Sequence, residues 1–149
     1  MILRHLYQQK DYSCAATSFA IYFGCTEEQG IAECKTTLNG THVYNLQEAI
    51  RARGVPAHRV ELGEDFSVAA ENLLNISRHF PVFVNGQFRD RFFAKGRDRC
   101  RQHCVLIADG MVYDPSEKEP IELEAYEVVF KKLRLDSLVI VDREIEGYG

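Results

Sequence analysis

No apolar run in this 149-residue sequence approaches the ~20 residues that a bilayer-spanning helix requires. The opening stretch MILRHLYQQKDYS has too little apolar length and too many polar side chains for a signal peptide. A membrane role is therefore not expected, and a cytoplasmic location is. Excess positive charge is also missing. A net charge of −4 offers no electrostatic footprint for nucleic acid. There is no internal repeat, low-complexity tract or Pro/Gly/Ser-rich linker, so residues 1–149 are expected to form a single domain.

The cysteines do not make an even, paired set. Cys14, Cys25, Cys34, Cys100 and Cys104 are scattered and odd in number, which suits free thiols in a reducing compartment better than a disulfide framework. Cys100, His103 and Cys104 in CRQHC are all possible zinc ligands. A structural zinc site needs a fourth ligand and usually a second short-spaced pair, and neither is present, so no metal is expected.

The remaining composition, 46% hydrophobic and 27% charged, is that of a globular protein with a substantial core. Ser13 stands where it would cap a helix from Cys14 to about Phe23, ended by Gly24. TEEQ at 26–29 has the form of a capping box for a second helix, and NLQE at 45–48 that of a third ending at Gly54. Residues 55–62 read as a strand and 67–77 as a helix. From Phe80 the pattern changes. FPVFVNG is a short apolar strand, and HCVLIADGMVYDP is two strands around Asp109-Gly110, a favoured hairpin dipeptide. Residues 121–133 read as a helix and 137–144 as a closing strand. Helices first and antiparallel strands second make an α+β fold.

Within that frame QQKDYSC, residues 8–14, is chemically pointed. A thiol at a helix N-terminus meets first-turn N–H groups and a dipole that stabilise the thiolate, the attacking species in acyl transfer. An imidazole beside it completes the nucleophile. His103 begins a strand in the other half of the chain. A two-residue turn at 109–110 sets residue 103 opposite roughly residue 116, leaving Asp114 on the diagonal, within reach of the imidazole. The tetrahedral intermediate also needs donors for its oxyanion. The Cys14 backbone N–H is one, and a side-chain amide from Gln8 or Gln9 is a second, worth ~3 kcal/mol of barrier in comparable sites.

QQKDYSCAATSFAIYFG, GTHVYNLQEAIRARGVPAHRV, FPVFVNG and HCVLIADGMVYDP occur in an order and spacing that resembles the papain-like double-glycine peptidases, the bacteriocin-leader-processing family, and their stand-alone relatives. The resemblance covers most of the chain. It implies a papain-like fold, with N-terminal helices packed on a C-terminal antiparallel sheet, and a cysteine peptidase without a cofactor. Gln, five residues, then Cys, later His before apolar residues, then Asp-Pro, is the pattern of that family. Carried over, Gln8 is the oxyanion donor, Cys14 the nucleophile, His103 the base and Asp114 its orienter. The implied substrate is a peptide or protein cut after a small-residue or double-glycine motif.

Three features depart from the family. Ala15 follows the cysteine where Gly is usual, the His-to-Asp hairpin is shorter than in transporter-linked members, and no ATPase or membrane domain follows. Ala15 motivates the alternative of a catalytically inactive, peptide-binding module. The same apparatus also serves acyl transfer to an amine, or deamidation. Residues 89–101 carry six basic residues and two aspartates just before His103. They form either a solvated edge or, in the sharper reading, a basic lip from Arg89 to Arg101 for an acidic partner, with Phe92 and Phe93 within it.

Overall fold

The computed structural model describes residues 3–62, 73–89 and 102–145. Helix α1, Cys14–Phe23, has the bounds its sequence implies and is buried from Cys14 through Ile21. A helix of small and apolar residues, with only the hydroxyls of Thr17 and Ser18 polar among its buried side chains, belongs in the centre of a fold. Gly24 ends it in the left-handed region at φ 68°, returning its N–H to Ala20 O. Helix α2, Glu27–Glu33, opens with the expected capping box. Gln29 N–H donates to Thr26 Oγ1 at 3.1 Å, and Thr26 N–H to Gln29 Oε1 at 2.9 Å. The two helices cross at Gly30, where even a methyl group would lie 2.3 Å from Ala16 O.

Helix α3, Val43–Ala52, starts ahead of NLQE, which lies inside it. The cap is His42, whose Nδ1 accepts the Tyr44 N–H at 3.1 Å. An imidazole nitrogen thus does what the Asn-to-Glu spacing was expected to do further along. After Gly54, at φ 79°, the chain enters the sheet.

The strands are β1 Ala57–Glu61, β2 Val82–Phe88, β3 Gln102–Ala108, β4 Met111–Tyr113, β5 Ile121–Glu122 and β6 Leu133–Val141. They form one antiparallel sheet in the order β1-β6-β2-β3-β4-β5. The β3–β4 hairpin has the expected register, Leu106 facing Tyr113 and Ala108 facing Met111. Asp109 and Gly110 both take positive φ, 51° and 75°, as a tight primed turn requires.

Residues 121–133 are only partly helical. Ile121 and Glu122 pair with β4, helix α4 runs Leu123–Phe130, and β6 is already under way at Leu133. The alternation of buried Leu133 and Leu135 with exposed Arg134 is a strand period that sequence alone had folded into the helix. Residues 73–77 are helical, and the rest of the expected 67–77 helix lies outside the described residues.

Period-two alternation separates two cores. Phe83, Cys104, Leu106, Val139 and Val141 face α1 and α3. Val82, Val84, Val105, Ile107, Leu138 and Ile140 face Leu73 and α4. The N-terminal helices pack on the antiparallel sheet as expected, and later helical segments cover its second face. Among the described residues no helix is long and apolar enough to cross a membrane.

Candidate active site

The segment before α1 is suspended from α2. The Glu27 carboxylate accepts Gln9 N–H at 2.8 Å, Lys10 N–H at 3.2 Å and Ser13 Oγ–H at 2.6 Å. Ser13 stands at the N-cap position, but its hydroxyl is committed to Glu27, with Lys10 O 2.9 Å away, and makes no cap bond. The expectation that Ser13 caps α1 through its side chain is therefore corrected. The first-turn N–H groups of α1, which have no intrahelical acceptor, are left without that hydroxyl.

Cys14, the first residue of α1, is 4% exposed, and its Sγ lies 3.8 Å from Gln102 O at the start of β3. The next residue, His103, is 3% exposed and close enough to the Cys14 side chain for the thiol to act on it. His103 Nε2 is 3.1 Å from Asp114 Oδ2 and 3.4 Å from the Tyr126 hydroxyl, which leaves Nδ1 for Cys14. The Phe88 ring lies tilted against the imidazole, centroids 5.1 Å apart. Opposite His103 in the sheet stands Gly86, where a methyl would sit 2.6 Å from Arg134 O and 2.8 Å from Leu135 Cδ2. The close approach of β6 behind the imidazole requires that glycine.

Asp114 divides its carboxylate. Oδ1 accepts Ser116 N–H at 2.8 Å and Ser116 Oγ–H at 2.7 Å, an Asx turn through Pro115. Oδ2 accepts from the Tyr126 hydroxyl and faces His103. One carboxylate oxygen of Asp114 thus forms the turn and the other faces the imidazole.

Burial pushes the His103 imidazole toward its neutral form, but the charge and hydrogen bond of Asp114, with those of Cys14, raise its pKa to about 10. Burial pushes the Asp114 carboxyl up, and His103, Tyr126 and Ser116 together hold it well below the usual carboxylate range. Burial pushes Cys34 up to about 12, and raises Cys104 and, against the Arg53 guanidinium, Cys25.

Gln8 reaches the same region by its backbone, which donates to Pro115 O at 2.9 Å, next to Asp114. Its side-chain amide donates to Lys10 O at 2.7 Å, within the loop that leads to Cys14. An amide nitrogen carries two protons. Gln9 sends its amide to Tyr7 O instead. Cys14, His103 and Asp114 are therefore brought together, with Gln8 alongside.

His103 and Cys104 lie on opposite faces of β3, the thiol in the core with α1 and the imidazole on Asp114. They do not converge on one ion, and Cys100 lies outside the described residues. Of the basic stretch only Arg89 is described, so the expectations for Arg89–Arg101, Phe92 and Phe93 otherwise lie outside the described residues.

Sequence reasoning missed Tyr126, Ser116 and Glu27. A tyrosine on the Leu123–Tyr126–Phe130 stripe needs a partner for its hydroxyl, and a serine two residues after Asp114 completes an Asx turn. Those were the available signals. Nothing in the sequence pointed Glu27 at the loop before Cys14.

No family model and no curated protein sequence matches the chain. Solved structures do. A double-glycine-motif protease from an AMS/PCAT transporter, determined in complex with the leader peptide, superposes with a TM-score of 0.63 at 18% identity, over 94% of this chain and 91% of that one. The peptidase domain of Streptococcus ComA, a bifunctional ABC transporter involved in quorum sensing, gives 0.60 at 14% identity, over 94% and 98%. The chain has the papain-like fold of double-glycine peptidase domains.

Proposed function

We propose that this protein is a cysteine peptidase in which Cys14 is the nucleophile, His103 the general base and acid, Asp114 its orienter and Gln8 an oxyanion donor. The observation that carries the reading is the buried imidazole held by Asp114 at Nε2, one residue on from the Gln102 carbonyl that the Cys14 thiol meets. Nδ1 takes the thiol proton, and the thiolate attacks a peptide carbonyl. The oxyanion meets the Cys14 N–H and the second Gln8 amide proton. Protonated Nδ1 then gives its proton to the leaving amine, and the same nitrogen activates water against the thioester. No metal or organic cofactor enters these steps. Transfer to an amine or deamidation would use the same groups.

The leader peptide bound to one structural neighbour supports a peptide or protein substrate, cut after a small-residue or double-glycine motif. Catalysis in the cytoplasm, where thiols stay reduced, belongs to the same reading. A second reading, an inactive peptide-binding module, is favoured by Ala15 after the cysteine and by the Gln8 amide lying on Lys10 O.

The experiment is incubation with peptides carrying Gly-Gly or bulky residues before the test bond, followed by mass spectrometry, with Cys14→Ala as control. Cleavage after the small pair by the unaltered protein alone is expected. Intact peptides, together with a Cys14 no more reactive toward iodoacetamide at pH 6 than an ordinary thiol, would overturn the peptidase reading. Peptide binding to that protein would then establish the module.

A further inference from the structure

Helix α4 buries Leu123, Tyr126 and Phe130 on the sheet. Tyr126 is 0% exposed, its ring edge-on to Phe130 with centroids 4.8 Å apart. Phenylalanine would fill that apolar volume equally well. A hydroxyl there costs free energy unless it is hydrogen-bonded. It donates to Asp114 Oδ2, the same oxygen that faces His103, and stands 3.4 Å from His103 Nε2.

We infer that Tyr126 is a positioning residue, a fourth member of the Cys14–His103–Asp114 chain that fixes the carboxylate and moderates its pull on the imidazole. The inference rests on the catalytic reading of Cys14 and His103. A carboxylate offers about four lone-pair sites. Here Ser116 occupies two through Oδ1, and Tyr126 and His103 share the two of Oδ2. Rotation of the carboxylate would break all of these bonds at once. Oδ2 is thereby held on Nε2, and the ring presents Nδ1 to Cys14.

The second consequence is electrostatic. The hydroxyl dipole takes up part of the negative charge on Oδ2. Asp114 then stabilises an imidazolium without trapping the proton that must pass to a leaving amine. Asp114, Tyr126 and Cys14 are the titratable groups that face His103, and Cys104 and Glu117 are the further ones acting on Tyr126.

The test follows His103 itself by NMR of histidine-labelled protein, its signals assigned by their loss in His103→Gln. Removing the hydroxyl in Tyr126→Phe leaves the carboxylate charge less shared, so the His103 titration midpoint moves up by about half a pH unit. Placing 3-fluorotyrosine at position 126, a stronger donor of nearly the same size, moves it down and keeps the measurement informative if the phenylalanine variant fails to fold. Where peptide turnover is measurable, kcat falls about threefold or more in Tyr126→Phe with KM unchanged, because the hydroxyl lies behind Asp114. A midpoint that stays put in both variants, whatever happens to Tm, overturns the inference. Alkylation of Cys14 in the unaltered protein is measured alongside. If Cys14 is an ordinary thiol, the peptidase reading itself has failed. If Cys14 is activated and the His103 midpoint ignores position 126, only the role of Tyr126 has.

Discussion

The Glu27 carboxylate, on the first residue of α2, holds the Ser13 hydroxyl at 2.6 Å, one residue before the thiol that begins α1. It also takes the N–H groups of Gln9 and Lys10, so three donors of the Gln8–Cys14 loop converge on one side chain. Loop geometry here is set by a neighbouring helix as well as by the loop's own bonds to Lys10 O.

Glu27→Ala removes all three acceptors. Hydrogen bonds to a charged group contribute about 1.5–3 kcal/mol each when well shielded, and Glu27 is only half-buried. The expected loss is about 1–2 kcal/mol in urea unfolding, with a larger relative effect on Cys14 alkylation because Gln8 and the α1 N-terminus lose their relative placement. Glu27→Gln, which keeps an acceptor but not the charge, falls between. Unchanged alkylation in Glu27→Ala would show that the loop holds itself.

The His103–Asp114 pair gives stability a definite pH window. The folded pKa of His103 is raised from 6.5 to about 10, so its contribution is complete below about pH 6.5 and is lost as pH rises toward 10. The Asp114 carboxyl is lowered from 3.8, so its contribution is complete above about pH 4 and is lost as pH falls below that. The Tm difference between the unaltered protein and Asp114→Asn should be greatest between roughly pH 4 and 6.5 and shrink on both sides. A difference constant from pH 4 to 9 would mean that the pair is not ionised.

What was legible in the sequence had local chemistry behind it. Asp109-Gly110 permits two successive positive φ values, and with that turn fixed every pairing of the hairpin follows, including the nearness of Asp114 to His103. The end of α1 at Gly24 was equally local, whereas its start at Cys14 was read from a cap that the Ser13 hydroxyl does not make. What was not legible depends on partners distant in the chain. Glu27 claims Ser13, and Tyr126 claims Asp114, across separations that no spacing rule spans. His42 capping α3 was missed for another reason, since a ring nitrogen can accept a helix N–H but lies outside the usual set of capping side chains. The early start of β6 was hidden because Leu133-Arg134-Leu135 follows directly on a helical stripe.

The thiols should separate by their chemical surroundings and not by burial alone, since Cys14 is itself only 4% exposed. Cys34 and Cys104 are fully enclosed and pushed toward the neutral thiol, so neither is expected to react with iodoacetamide in the native protein below pH 9. Under the proposed mechanism Cys14 is modified first, already at pH 6, and His103→Ala slows it at least tenfold. Cys25, partly exposed but with its pKa raised, follows only at higher pH. Peptide mass spectrometry after timed quenching gives the order, and modification of Cys25 before Cys14 at pH 6 would contradict the nucleophile assignment.

Gly30 tests whether the crossing of α1 and α2 supports the site. A methyl there would lie 2.3 Å from Ala16 O and 3.0 Å from Ala16 C, both backbone atoms that no rotamer change can move. Gly30→Ala should therefore force the helices apart and cost about 2–4 kcal/mol, even though alanine is the better helix former by about 1 kcal/mol. Because Glu27 rides on the same helix, the displacement should also loosen its hold on Ser13. Cys14 alkylation is thus expected to change along with Tm. Ala32→Gly, on the exposed side of α2, supplies the comparison: a cost of about 1 kcal/mol from helix propensity alone, with Cys14 reactivity unaltered. If Gly30→Ala behaved like that control, the helices would have slack at their crossing, and Glu27 would not owe its placement to it.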